Sequence, residues 1–192
     1  AGNKMAGNIL NICGSSEMVP ILSDKPVVDD RYYLRSFCLP GLWQIYATTA
    51  GGFVLDWCRE QFYRDMPADE FFGTELEKAT AMCLDLPLTF TPYMAGDRQS
   101  LTPKRACIDG LTLDSTRRQI LAAALYGMQT PMMRVVALSK EFIQTGQVIK
   151  LTGGMVSAPI ENLKKILYPD YTIETHQNCP LIGNYLLAAN NK

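Results

Sequence analysis

Three short runs of small residues have the composition to cradle a phosphate. Gly14-Ser15-Ser16 follows the apolar run Ile9–Cys13, Gly51-Gly52 follows Leu42–Thr48, and Gly153-Gly154 follows Val148–Thr152. Glycine lets a backbone approach a ligand closely, and the N–H groups at a helix start favour anions. The second and third runs lead into helical patterns. After Gly154 the helix opens near Pro159, a residue suited to a first turn, and Ile160, Leu163, Ile166 and Leu167 share one face. Strand–glycine–helix joints also arise for packing alone, so the rest of the chain has to decide between the two.

Other chemistries are harder to build from these residues. The single histidine, His176, excludes a site with several His ligands, and in THQNCP it reads as a strand-end residue. The six cysteines are widely spaced with no C-x-x-C, which fits free thiols in a reducing cytoplasm and argues against zinc. Net charge is −1 with no basic run, so neither nucleic acid nor an acidic membrane is an expected partner. No apolar run is long enough to span a bilayer. Trp43, Trp57, Met128, Met132 and Met133 read as core filling.

At 192 residues, 47% of them hydrophobic, the chain has enough material for one domain with a substantial core. Ile9–Cys13 reads as a first strand and Met18–Leu22 as its returning partner, with Pro20 at an edge or a bulge. A turn-rich stretch from Ser23 to Gly41 holds an extended piece near Tyr32–Leu39, and Leu42–Thr48 is a third strand. A helix over Phe53–Arg64 follows. Thr74 and Glu77 then suggest a capping box for a helix over Glu75–Leu84. Leu88-Thr89-Phe90 and Ala106-Cys107-Ile108 are extended. Asp114 or Ser115 is expected to cap a helical stretch from Thr116 to about Thr145, which Pro131 either kinks or divides. The strand Val148–Thr152, its helix, a strand over Tyr171–Glu174 and a helix from about Pro180 to Ala189 complete the chain. Setting aside the mostly helical insertion between Arg64 and Gln147, the order predicts a mixed five-stranded sheet with helices on both faces. This is the order of the ribonuclease-H-like, actin-like ATPase fold, in which the three small-residue turns meet around one nucleotide.

The motifs, taken in order, resemble the C-terminal, ATP-binding domain of FGGY carbohydrate kinases over nearly the whole of residues 1–192. ACIDGLTLDSTRRQILAAAL, Ala106 to Leu125, is similar to the second family signature, with Tyr126 standing where the family has an acid or amide. ICGSS at Ile12–Ser16 resembles the family's L-G-T-S phosphate loop, with Ser15 for Thr. PYMAGDR at Pro92–Arg98 resembles P-Y-L-x-G-E-R, a form common in pentulose kinases. LTGGMVSAP at Leu151–Pro159 resembles A-T-G-G-G-A-R-S-P, and PLIGNYLLAA at Pro180–Ala189 resembles the family's tail.

The resemblance implies Mg2+-assisted phosphoryl transfer from ATP to a sugar hydroxyl, with a xylulose-like ketose favoured. It places Gly14, Ser15 and Ser16 at the phosphates, Gly52 and Asp56 beside the nucleotide, and Gly153, Gly154 and Ala158 around the adenosine. Asp56 reads equally as a solvated helix residue, and Asp97 with Arg98 as a surface pair. Ala158 stands where relatives carry Ser or Asn, and Met155 replaces a third glycine; both changes weaken the expected nucleotide contacts. The family's catalytic aspartate lies upstream of the phosphate loop. None of the thirteen residues before Gly14 is acidic, so the base and the N-terminal sugar-binding domain are expected outside this chain. Alone it is expected to be inactive. The resemblance also allows a homodimer. The competing reading is a non-catalytic nucleotide-binding or interaction module of the actin-like superfamily.

Overall fold

Ile9, Asn11 and Cys13 are buried while Leu10 and Ile12 are less so, the alternation of a strand with one fully covered face. In the computed structural model, which describes residues 3–97 and 103–190, this strand is β1 (Ile9–Cys13). It turns through Gly14 and Ser15 into antiparallel β2 (Ser16–Ser23), which pairs along its whole length with antiparallel β4 (Trp43–Ala50). On its other side β1 pairs in parallel with β7 (Val148–Thr152), and β7 with β8 (Thr172–Thr175). The short strand β3 (Tyr33–Ser36) closes the far edge against β4.

The sheet is therefore mixed, as expected, but six-stranded, in the order β3-β4-β2-β1-β7-β8, and the expected count of five is corrected. The added strand is β3. Its four residues carry no alternating apolar signal; cross-strand partners hold it instead. Tyr33 stacks on Tyr46 with centroids 5.0 Å apart, and Arg35 Nε donates to Gln44 Oε1 at 2.6 Å.

Pro20 occupies neither an edge nor a bulge. It lies on β2, between β4 and β1, and the register on either side is constant (Ile9↔Ile21, Ile12↔Met18). Gly14 and Leu22 donate across this seam, so alternation aims the position-20 amide at β1. Proline has no such amide, and the Leu10–Pro20 pair drops out of the ladder.

The covered face of the sheet meets α1 (Gly52–Phe62), α4 (Arg117–Ser139) and α5 (Ala158–Leu167). Ile9, Ile21, Ile45, Ile149 and Leu151 form the sheet side of this core, and Leu121, Leu125, Met128 and Met132 the α4 side. Met128 and Met132 are thus core filling. Met133 packs at the core's margin, as Trp57 does with its edge on Phe62, and Trp43 is half-buried at the start of β4. On the opposite face Gly183 and Leu186 of α6 (Cys179–Asn190) share a groove with Leu10, Ile12 and Pro20.

The stretch between Arg64 and Gln147 is part of the core, since α4 crosses β2 and β4. It also holds a two-stranded ribbon, β5 (Thr89–Thr91) with β6 (Cys107–Asp109). Thr74 does not start a helix. α2 (Ala68–Glu70) begins after Pro67 and runs through a π-helical turn, Phe71–Glu75, into α3 (Leu76–Ala81). Phe71 is fully buried, its ring 5.1 Å from that of Tyr63, and that packing outweighs the local T-E-L-E cue.

The N-cap of α4 is Thr116 rather than Asp114 or Ser115. It forms a complete capping box with Gln119. Ser115 instead closes the preceding turn, accepting from the Thr112 amide at 2.9 Å. Pro131 neither ends nor divides α4. The carbonyl of Gly127, which a residue-131 amide would serve, accepts the Thr130 hydroxyl at 2.9 Å.

Candidate functional site

β1, β4 and β7 point the same way, since β1 is parallel to β7 while β1 and β4 are each antiparallel to β2. Their C-terminal ends therefore deliver Gly14, Gly51-Gly52 and Gly153-Gly154 to one edge of the sheet. Open α/β sheets bind ligands at such an edge. The turns are tied together there. The Gly52 amide donates to Gly14 O at 2.9 Å, the Gly51 amide to Ser15 O at 2.9 Å, and the Met155 amide to Cys13 O at 3.0 Å.

Two glycines make this closeness possible. A Cβ on Gly51 would lie 2.6 Å from Gly14 O. Gly153 has φ +120°, and a Cβ there would lie 2.2 Å from Cys13 O. Gly154 has open space around its Cα. The packing explanation for glycine thus holds at Gly153, whereas its neighbour borders a cavity.

That cavity has a volume of about 480 Å3 and is lined by Gly14, Ser15, Gly52, Leu55, Asp56, Phe72, Leu76, Gly154, Met155 and Ser157. Five of the eight residues singled out in the sequence line it: Gly14, Ser15, Gly52, Asp56 and Gly154. Ser16 faces a separate, smaller cavity with Thr48, Thr49 and Tyr93. Gly153 supports the turn from behind. Ala158 is exposed on the first turn of α5 outside the lining, and Ser157, one residue earlier, lines the cavity instead. Asp97 pairs with Lys104 at 2.6 Å, away from this cavity, and Arg98 lies outside the described residues.

Sequence reasoning missed Leu55, Phe72, Leu76 and Ser157 as lining residues. Ser157 carried a cue, because serine two residues before Pro159 is a helix-start pattern. Phe72 carried none; the π-helical turn brings it to the cavity, 38% exposed.

The cavity wall is chemically mixed. Leu55, Phe72, Leu76 and Met155 contribute apolar surface. Gly14, Ser15, Gly154 and Ser157 contribute polar surface, with Asp56 as its carboxylate. The N-terminal amides of α1 are largely spent, since Gly52 and Phe53 donate to Gly14 O and Ser15 O. Among the described residues, the amides of Ser15, Gly154, Ser157 and Ala158 make no backbone hydrogen bond. The Ser157 hydroxyl does not cap its own helix. The start of α5 is therefore the anion-favouring terminus.

Behind the turns the side chains are sealed from solvent. Burial, with Glu17 nearby, pushes the Cys13 thiol up to about 12, and burial raises Tyr168 far above the usual phenol range. His176 sits in the loop after β8, half-exposed and 3.4 Å from Glu174 Oε2. Among the described residues no group of His, Cys, Asp and Glu is arranged to hold a metal ion by itself, and no helix is long and apolar enough to cross a membrane.

No protein-family model and no curated protein sequence matches the chain. Solved structures match its fold. It is similar to xylulose kinase from Rhodospirillum rubrum, with a TM-score of 0.74 at 19% identity over 93% of this chain and 36% of that one. It is similar to gluconate kinase from Lactobacillus acidophilus, with a TM-score of 0.73 at 20% identity over 88% of this chain and 35% of that one. Glycerol kinase from Plasmodium falciparum, solved with ADP, gives 0.67 at 18% identity, over 88% of this chain and 35% of that one. The chain thus has the fold of part of an FGGY carbohydrate kinase and spans about a third of the length of these structures.

Proposed function

We propose that this chain is the ATP-binding, C-terminal domain of an FGGY carbohydrate kinase built on the ribonuclease-H-like, actin-like ATPase fold. The whole enzyme would transfer the terminal phosphoryl group of Mg-ATP to a sugar hydroxyl, with a xylulose-like ketose as the favoured acceptor. The observation that carries this reading is the convergence of three strand-end turns on one cavity whose wall combines apolar side chains with unbonded amides and hydroxyl-bearing serines. A nucleoside triphosphate combines the same two chemistries.

In this reading the base lies among Leu55, Phe72, Leu76 and Met155, and Met155 adds apolar wall where a glycine would leave space. The phosphates lie against Ser15, Gly154 and the start of α5. A magnesium ion bound with the phosphates would be held by carboxylate and water oxygens. Asp56 fits that donor set, since it is exposed and lines the cavity. The metal's part is to neutralise charge on the oxygens that carry it. The sugar oxygen attacks the terminal phosphorus, the bond to the bridging oxygen breaks, and ADP leaves. The hydroxyl proton passes to an aspartate of the upstream domain, which also holds the sugar.

Titration calorimetry of the chain with Mg-ATP tests the nucleotide half of the reading. Binding is expected, and Ser157→Ala is expected to weaken it about tenfold, the usual worth of a hydrogen bond to a charged group. Absence of binding would sink it. Restoring the upstream coding region and following ATP consumption against ketoses, aldoses and polyols tests the rest. Turnover with one sugar, lost in the 192-residue chain, is the expected result. ATP binding without turnover on any sugar would leave the non-catalytic module standing.

A further inference from the structure

Beneath the three turns lies a polar cluster sealed from solvent. Glu17 and Lys164 are both 0% exposed and form an ion pair. Lys164 Nζ also donates to Gln129 Oε1, Gln129 Nε2 donates to Glu17 Oε2 at 2.9 Å, and Asn11 Nδ2 donates to Glu17 Oε1 at 2.9 Å. Four elements meet in this cluster: β1, β2, α4 and α5. Burying an ion pair costs desolvation that the pair's attraction often fails to repay, and neutral replacements of similar volume are often as stable. Stability is therefore a poor account of its presence.

Its position suggests a better one. Asn11 leads into Gly14, and Glu17 leaves the same turn just after Ser15 and Ser16. The Cβ that Gly51 lacks would lie 3.1 Å from Glu17 N and 3.2 Å from Glu17 Cβ. Lys164 lies two helical turns along α5 from Ser157. Among the described residues, the β1–β7 ladder and the Met155–Cys13 bond fix the strand end of the connection between β1 and α5, and the body of α5 is otherwise held by apolar packing, which is non-directional. A charged hydrogen-bonded pair, by contrast, has a narrow range of working geometries.

We propose that Glu17 and Lys164, held by Gln129 and Asn11, are positioning residues for the nucleotide cleft. They set the spacing between the turn that carries Ser15 and the α5 start that carries Gly154 and Ser157, so that both ends reach one polyphosphate. This rests on the nucleotide reading above, and the test keeps the two apart.

The variants are E17Q, K164M, the double E17Q/K164M, and L88A, a core substitution in the residue preceding the β5–β6 ribbon. Mg-ATP affinity is measured by calorimetry where far-UV circular dichroism shows each variant folded. Hydrogen exchange of the bridging amides of Gly51, Gly52 and Met155 is measured without ligand. L88A is expected to lower Tm while binding within about twofold of the unmodified chain, since it leaves the cleft untouched. The double variant is expected to stay folded, to bind Mg-ATP at least about tenfold more weakly, and to exchange those three amides faster. Unchanged binding and exchange in the double variant would overturn the proposal. Its failure to fold would do so as well, because the pair would then be a requirement of the fold. If the unmodified chain takes up no Mg-ATP, the nucleotide reading falls and exchange alone decides. Faster exchange confined to the three turns supports the positioning role, and a uniform rise overturns it.

Discussion

Adjacent glycines in this chain do different work, and substitution separates them. Gly153 combines positive φ with a backbone oxygen where a Cβ would sit. Gly153→Ala should therefore lower stability by about 1–3 kcal/mol in urea unfolding. Gly154→Ala meets nothing within 4 Å, so its stability should stay within about 0.5 kcal/mol of the parent. Its effect belongs in the calorimetric affinity for Mg-ATP, which should fall as the added methyl enters the cavity. A stability loss at Gly154 equal to that at Gly153 would show that the cavity wall has been misassigned. The cysteines divide in the same manner. Cys38 and Cys107 are exposed, whereas burial raises the Cys13 and Cys58 thiols to about 12. A thiol reagent at neutral pH should label Cys38 and Cys107 first and reach Cys13 and Cys58 only on unfolding.

Helix boundaries show where local signals suffice and where packing overrules them. α4 begins on a complete capping box at Thr116, so Thr116→Ala should cost about 1 kcal/mol of stability in urea titration. The sequence carried that cue, although nearby Asp114 and Ser115 competed for the role. β1, β4 and β7 were legible as apolar-rich runs that stop at glycine, and α5 as a helix with one apolar face between Pro159 and Pro169. Three of the cavity's glycine positions followed from those ends. What was not legible depends on contacts between distant residues. β3, read from the sequence only as an extended piece near Tyr32–Leu39, joins the sheet because Tyr33 and Arg35 meet Tyr46 and Gln44, and Pro20 lies within the sheet because the flanking pairs hold their register. The π-helical turn that supplies Phe72 satisfies Tyr63 and Arg118 through Glu75, a partnership spanning 43 residues to Arg118. The buried Glu17–Lys164 pair is further still from any local pattern.

At the scale of the whole molecule, Glu75 links packing to acid stability. Its carboxylate, 5% exposed, accepts Arg118 through both oxygens and the Tyr63 hydroxyl at 3.0 Å. The Arg118 hydrogen bonds hold its pKa below the ordinary 4.5. A depressed carboxylate contributes stability that is complete above the unfolded-state value and vanishes as pH falls through the folded one. Stability should thus begin to fall below about pH 5, and Glu75→Gln should flatten that limb of the profile. An equally steep limb in the variant would assign the acid sensitivity to other carboxylates.

The parallel seam between β1 and β7 also bears on how the chain is made. β1, β2 and β4 leave the ribosome before β7, and Val148–Thr152 follows β4 by roughly a hundred residues, about 5–20 s at ordinary bacterial and eukaryotic translation speeds. Throughout that interval the β1 edge, with Ile9, Leu10 and Ile12, has no neighbour to satisfy its hydrogen bonds. Nascent chains stalled before Val148 should accordingly recruit chaperones or self-associate, and those released after Leu167 should not. The strand that lets three turns share one ligand is also the one that leaves the young polypeptide sticky until it has itself been made.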